Sequence, residues 1–413
     1  MLIQFCNLWP HNNLALQLLS YRRTLNFMKP VCIIGGGGTG IAAAYDLALN
    51  GIPVVLVERG EFTSGTTGRH HGQLHSGARY AVGDREIAAE CMRESRILRR
   101  LAPQAIEFNG GLFVALDESD EEYAESFIPA CIEAGIPARR LTKDEARELE
   151  PALSLKVRLA VEVPDGSIDA YRLPMSFLAS ALHLGAEARR FTRAEGIRSR
   201  ADGSFTVDLR DLATGTGSSL EASAVLNAGG PWAGKIAALA GCSVKITPAP
   251  GTMIAVAGRM CDRVISRLRP PGDGDILVPH RRQTIIGTTE WTTSDPESLL
   301  PRREDFEFLM NEGEKMITGY EAGKRISAWA AARPLAGDEH AEAGGARGLS
   351  RDFELRHHED ENMPGFYSCI GGKATVLRAM GAEAADALLA YLGKKRVKSS
   401  ADYPLLSWRE NFL

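Results

Sequence analysis

The stretch VCIIGGGGTGIAAAYDLALNGIPVVLVER, Val31 to Arg59, decides the fold. Its first apolar residues read as a short buried strand, the glycines as a loop, IAAAYDLALN as a helix and PVVLVE as a second strand. The glycines fit G-x-G-x-x-G as Gly35, Gly37 and Gly40. In that pattern the first allows a tight turn off the strand. The second lets the backbone approach a pyrophosphate, and the third lets the helix pack on the strand. The helix N-terminus then offers N–H groups and a positive dipole end to the phosphates. Gly51 suits the helix C-terminal cap. Glu58 closes the second strand about 20 residues after the glycines, where an acid accepts bonds from a ribose hydroxyl. Together these features predict an α/β fold with a Rossmann-like dinucleotide-binding domain.

The acid is followed at once by Arg59 and a second polar, glycine-rich stretch, RGEFTSGTTGRHHGQLHSGARYA. Serines, threonines and glycines at this density suit a loop lying along a pyrophosphate and an isoalloxazine ring. A nicotinamide enzyme usually carries its substrate residues in a separate downstream domain. The dinucleotide expected here is therefore a tightly held FAD.

The chain has 413 residues, 44% hydrophobic and 24% charged, as expected of a globular enzyme with a large core. A net charge of −4 gives no reason to expect nucleic acid as a partner. There are 7 cysteines and none forms a C-x-x-C pair. That argues against a disulfide framework, a zinc knuckle or an iron–sulfur cluster, and a reducing cytoplasm is the simplest setting. No apolar run reaches the roughly 18 residues of a transmembrane helix. Residues 1–28 make a poor signal peptide. They are expected to be a poorly ordered extension before a natural start at Met28, the alternative being a peripheral anchor at the inner membrane face.

The expected layout is a discontinuous FAD-binding domain over 29–84, 151–243 and 335–395. A helical segment spans 85–150, an antiparallel substrate-binding sheet 244–334 and a tail 396–413. Within it, Thr142-x-x-Glu145 reads as a capping box and Asp169 as a helix cap. Residues 189–227 read as a hairpin turning near TGTGSS, and REDFEFLMNEGEKMI as a helix. His70, His71 and His75 cluster, but Gly72 and the polar loop speak against a metal-binding helix, so no metal site is expected. His357 and His358, in the charged run RHHEDEN, read as a solvated loop.

The loop SGTTGRHHGQLHSGARYAV, residues 64–82, resembles the flavin-side loop of FAD-dependent glycerol-3-phosphate dehydrogenases. The resemblance is strongest to the anaerobic-type large subunit, within the D-amino-acid-oxidase-like flavoproteins. It continues in order through NGGLFVAL, VPDGSIDAYRL, VLNAGGPWAGKIA, DILVP, IIGTTE, ARPL, LSRDFEL and IGGKATVLRAM, over roughly residues 29–395. It implies that Gly35, Gly37, Gly40, Glu58 and Arg59 hold the adenosine side of FAD. Thr66, Thr67, Gly68, Gln73 and His75 would line the flavin side. Ala228, Gly229 and Trp232 would form a second nucleotide-contacting turn, and Gly372, Lys373 and Ala374 would cap the pyrimidine edge.

The resemblance also implies that Arg79, Arg333, Arg351 and Lys373, with Tyr80 beside them, bind a small phosphorylated polyol. Guanidinium forks suit a phosphate dianion on general grounds. The implied reaction oxidises a secondary alcohol, most simply glycerol 3-phosphate to dihydroxyacetone phosphate. Arg333 and Lys373 would hold the reacting oxygen, with His75 a candidate base, and a quinone or partner subunit would take the electrons. Three departures qualify this. Val376 stands where the family carries a hydroxyl, with Thr375 one position earlier. Pro250 and Met253 leave no base on their strand. The family's cysteine-bearing C-terminal domain does not follow before Leu413, so electron exit is expected to differ. Two other readings stay open: oxidation of a 2-hydroxy or amino acid, and a non-catalytic FAD-holding subunit.

Overall fold

A computed structural model of the chain describes residues 28–337 and 352–412. Val31–Ile34 forms the centre of a six-stranded sheet ordered Phe353–His357, Phe366–Gly371, Ala224–Asn227, Val31–Ile34, Val54–Val57, Glu187–Arg189. All pairs are parallel except the edge strand Phe353–His357. Val31–Ile34 and both its neighbours are buried throughout, as expected of parallel strands covered on two faces. The register places Ile34 beside both Val57 and Asn227. The residues that follow each of them, Gly35, Glu58 and Ala228, therefore converge at the carboxyl ends of the strands, where open α/β sheets bind ligands.

The helix Gly38–Leu49 packs against helices Arg172–His183 and Leu377–Tyr391 and is buried on nearly every side. Gly35 has φ +116°, and a Cβ on it would lie 2.4 Å from the Ala228 carbonyl oxygen. A Cβ on Gly40 would lie 2.0 Å from the Gly35 carbonyl oxygen. Side chains at these two positions would push the helix off the strand.

A second, eight-stranded sheet runs Arg325–Ala336, Ile246–Ala257, Gln283–Gly287, Ile276–His280, Val264–Arg267, Gly111–Ala115, Leu159–Val163, Arg139–Thr142. It is antiparallel except between Val264–Arg267 and Gly111–Ala115. This corrects the layout read from sequence. The segment 85–150 does carry helices Arg85–Leu101, Glu118–Glu133 and Lys143–Leu149, but it also gives two strands to this sheet. Leu159–Val163 joins it as well, and Arg325–Ala336 runs past 334. The substrate sheet is thus assembled from two separate stretches of chain. The physical reason is burial: all of Gly111–Ala115 is inside, between its strand neighbours and the helix Glu118–Glu133, whose Phe127 ring lies 4.8 Å from that of Phe113.

The expected hairpin is a three-stranded meander, Thr192–Ser199, Phe205–Asp211 and Gly217–Ala222. The Thr142–Glu145 capping box forms, and Asp169 accepts the Tyr171 and Arg172 N–H groups at 3.1 and 2.9 Å. The reading of His357 and His358 as solvated is corrected. His358 is fully buried, with Nδ1 2.5 Å from Glu361 Oε2 and Nε2 2.8 Å from Ser368 Oγ. His357 stacks on Tyr367 at 4.3 Å. Pairing of Phe353–His357 with Phe366–Gly371 draws both rings onto the sheet.

Candidate active site

One cavity of about 610 Å³ opens where the two large sheets meet. That is the size expected of a ligand site, commonly about 300–1,000 Å³. Gly35, Gly37, Gly38 and Thr39 form one wall. The helix behind them starts at Gly38, and its N-cap residue, Gly37, offers no side chain to the N–H groups of the first turn. Glu58 also lines the cavity. Its carboxylate braces two loops, accepting Gly36 N–H at 2.8 Å and Gly60 N–H at 2.7 Å, and each oxygen keeps a second lone pair for a hydroxyl. Arg59 pairs bidentately with Glu297 at 2.8 and 2.9 Å and lies 4.4 Å over the Trp232 ring.

Thr66, Thr67, Gln73 and His75 line the adjoining wall, as do Ala228, Gly229, Trp232, Gly372, Lys373 and Ala374. Thr67 Oγ1 accepts the Gly38 N–H at 2.9 Å, joining the two glycine-rich loops. Thr66 Oγ1 donates to the Ala332 carbonyl at 2.6 Å, and Trp329 Nε1 to the Arg69 carbonyl at 2.7 Å. These bonds fasten the loop to the substrate sheet. Two expected contacts stand elsewhere. Gly68 faces the Thr63 carbonyl, and Gly40 sits inside the helix–strand contact. Both shape the loops without lining the cavity.

Arg79, Tyr80, Arg333 and Lys373 all line the same cavity; Arg351 lies outside the described residues. Arg79 Nη2 is held by Asp275 Oδ2 and the Gly272 carbonyl, each at 3.1 Å. Arg79 Nη1 and Lys373 Nζ are buried with no hydrogen-bond partner among the described residues. The Lys373 ammonium lies 5.2 Å over the Tyr80 ring, and burial lowers its pKa from the ordinary lysine value against the pull of Cys91, Asp352 and Glu90. Arg333 bonds Thr288 Oγ1, and its Nη1 stands 3.3 Å from Glu290 Oε2.

The His75 ring lies 5.6 Å from Tyr80 and 6.0 Å from His71. Burial, then His75, His70, Arg333 and Arg79, hold the His71 pKa well below the usual histidine range. The sequence reading missed Thr288, Glu290 and His71 as cavity residues. The motif IIGTTE is plain in the chain, but which of its side chains turn inward depends on sheet register. Cys242, His358 and Glu361 lie close enough together to suggest metal ligands, yet they are not part of this cavity. Both His358 nitrogens are engaged, and Arg356 already stands 3.6 Å from Glu361.

A helix N-terminus, a glycine loop that side chains would block and the Glu58 carboxylate meet on one cavity, the arrangement of a dinucleotide-binding site. Arg333 on the strand Arg325–Ala336, with Arg79 and Lys373 from two separate turns, adds cations to the same cavity. Residues 30–387 match the family described as DAO, FAD dependent oxidoreductase, and the chain belongs to that family. Its cofactor is FAD. It is 38% identical over 386 residues to the A1 subunit of the anaerobic glycerol-3-phosphate dehydrogenase of Haloferax volcanii, covering 91% of this chain and 66% of that protein. It is 38% identical over 380 residues to the corresponding subunit of the anaerobic glycerol-3-phosphate dehydrogenase of Escherichia coli, covering 91% and 69%. The chain thus spans about two thirds of the length of these relatives. Among solved structures, the FAD-bound L-alpha-glycerophosphate oxidase of Mycoplasma pneumoniae superposes with a TM-score of 0.73. It is 20% identical and covers 92% of this chain and 99% of that one, a likeness of fold. Among the described residues, no helix is long and apolar enough to cross a membrane.

Proposed function

We propose that this chain is a dehydrogenase that oxidises the secondary alcohol of a small phosphorylated polyol, glycerol 3-phosphate being the leading substrate and dihydroxyacetone phosphate its product. The observation that carries the reading is the gathering of Arg79, Arg333 and Lys373 on one cavity beside the glycine loop. Arg79 Nη1 and Lys373 Nζ are buried there and lack acceptors among the described residues. A buried donor without a partner is costly unless a ligand supplies one. A phosphate dianion carries enough acceptor oxygens to serve several such donors. The named activity of the relatives supports the same substrate.

FAD supplies the hydride acceptor. Gly35, Gly37 and the helix N-terminus would receive its pyrophosphate, and Glu58 its ribose. Thr66, Thr67, Gln73, His75, Ala228, Gly229, Trp232, Gly372 and Ala374 would enclose the remainder. Arg79 grips the phosphate. Arg333 and Lys373 steady the reacting oxygen and favour the charge that develops on it. His75 takes the hydroxyl proton; its neighbour His71, held neutral, adds no repelling charge. Arg351 is assigned to the phosphate by resemblance alone. Electrons then leave to a quinone or a partner subunit, with contact at a membrane face.

Anaerobic addition of glycerol 3-phosphate to the FAD-loaded chain should bleach the visible flavin band. Persistent colour with that compound, together with bleaching by a 2-hydroxy acid, would overturn the reading.

A further inference from the structure

A carboxylate stands inside this cationic cavity, and it stands on one of the cations. Glu290 lines the cavity, its side chain is 6% exposed, and Oε2 lies 3.3 Å from Arg333 Nη1. The placement is fixed by the hydrogen bonds of the three residues that follow the strand Gln283–Gly287. Beyond the strand Gln283–Gly287, Thr288 accepts from Arg333 Nη2. Thr289 turns the other way. Its hydroxyl donates to Asp305 Oδ2 at 2.8 Å and accepts the Thr252 N–H at 3.0 Å. Glu290 then returns to the face of Thr288. The Trp291 N–H, bonded to the Pro250 carbonyl at 3.0 Å, fixes the chain just after it. Thr288 and Glu290 are thus aimed together at one guanidinium by an anchor on the opposite face.

The electrostatic consequence bears on what the cavity accepts. An arginine recognises a ligand carboxylate by offering it a bidentate fork. Here one arm of the fork already faces Glu290 and the other already meets Thr288. An incoming carboxylate beside Arg333 would meet a cation whose fork is already engaged and a like charge within about 4–6 Å, which disfavours ionisation of both. A hydroxymethyl group in that place meets an acceptor to which its O–H can donate. Arg79, though paired with Asp275 through Nη2, and Lys373 each keep a buried donor, Nη1 and Nζ, without a partner among the described residues. We infer that Glu290 is a specificity-determining residue: it pairs with Arg333, accepts a hydroxyl of the substrate and rejects compounds carrying a carboxylate next to the reacting alcohol. This rests on the reading of the cavity as a phosphorylated-polyol site.

Glycerol 3-phosphate and 3-phosphoglycerate test it, since they share a skeleton and differ in having a hydroxymethyl or a carboxylate beside the secondary alcohol. Binding of each to the FAD-loaded full chain is measured by equilibrium dialysis under argon, with KM and competitive Ki alongside. Glu290→Gln should tighten 3-phosphoglycerate by about tenfold and weaken glycerol 3-phosphate, with KM moved more than kcat, because like-charge juxtaposition is removed. Glu290→Asp should restore the wild-type ranking. Thr288→Val, which loosens Arg333 without changing charge, should weaken both ligands together. Should Glu290→Gln not accumulate folded, Glu290→Ser is read the same way. A folded variant whose ratio of the two affinities stays within about twofold of wild type overturns the inference, as does a wild type that prefers 3-phosphoglycerate. If that ratio shifts but glycerol 3-phosphate never bleaches the flavin, the proposed reaction fails and the role of Glu290 stands. If the ratio is unchanged and bleaching is normal, the reaction stands and the role of Glu290 fails.

Discussion

Thr375 accepts the His75 backbone N–H on its hydroxyl oxygen at 3.1 Å, across 300 residues of sequence. The bond ties the second glycine-rich loop to the turn that carries Lys373. Both residues are buried, so Thr375→Val would leave an N–H without a partner at a cost of about 1–3 kcal/mol. A lowered Tm and faster FAD loss are expected, with Thr375→Ser close to wild type. Val376 is packed in the core beneath this turn, so Val376→Thr should destabilise and not restore a missing hydroxyl. A Thr375→Val protein that melts like wild type would show that the loop does not depend on this bond.

Arg378 resembles another site cation when read in IGGKATVLRAM, yet it is spent on structure. It forks onto both Glu94 oxygens at 2.7 Å and bonds Ser400 Oγ, holding helix Leu377–Tyr391 to helix Arg85–Leu101. Glu94 is fully buried. Glu94→Ala strands the guanidinium and should cost about 3–5 kcal/mol in denaturant unfolding, whereas Glu94→Leu with Arg378→Met should lose far less. Equal losses in the single and double variants would argue that packing, not the stranded charge, sets the cost.

The parts of the site legible in sequence are the local ones. Gly35, Gly37 and Glu58 sit in a strand–loop–helix–strand unit whose geometry is set by neighbours in the chain. Arg79 and Lys373 were found through resemblance, since nothing in a single sequence separates them from Arg378. Glu290 escaped because its meaning lies in a contact with Arg333, 43 residues on, which only the folded chain brings about. Gly111–Ala115 escaped because a five-residue apolar run has no period that tells a strand from a buried helix turn. His358 escaped because RHHEDEN is polar in composition and the burial comes from strand pairing.

The histidines of the loop make stability sensitive to acid. Burial first, then His280, pushes His70 down to about 4, with Asp169 pulling the other way. The unfolded chain takes up its proton near the ordinary value of about 6.5. Between these values the unfolded state therefore binds more protons, and stability falls as pH drops through that window. Tm should decline from about pH 6.5 towards about 4 at fixed FAD saturation. His70→Asn keeps an acceptor for the Gly72 N–H, which His70 Nδ1 takes at 2.9 Å, and should flatten the decline. An equally steep decline in that variant would place the acid sensitivity on other groups.

Lys373 sets binding against stability. Its ammonium is buried without an acceptor among the described residues, and burial lowers its pKa. Between that lowered value and the ordinary lysine range the unfolded chain binds more protons. Stability therefore rises with pH there, and below it the full cost of the buried charge is present. Lys373→Met removes the charge and keeps the length, so the substrate-free, FAD-loaded protein should gain up to about 1–2 kcal/mol or stay level. Its affinity for glycerol 3-phosphate should fall about 10- to 100-fold, the worth of one charge-assisted bond. In the wild type that affinity should weaken as pH climbs through the lowered lysine pKa, ahead of any ordinary lysine, and Lys373→Arg should abolish this alkaline limb. A Lys373→Met protein that melts below wild type would mean that the ammonium already has a stabilising partner inside the cavity, and the reacting oxygen would then have to be held by Arg333.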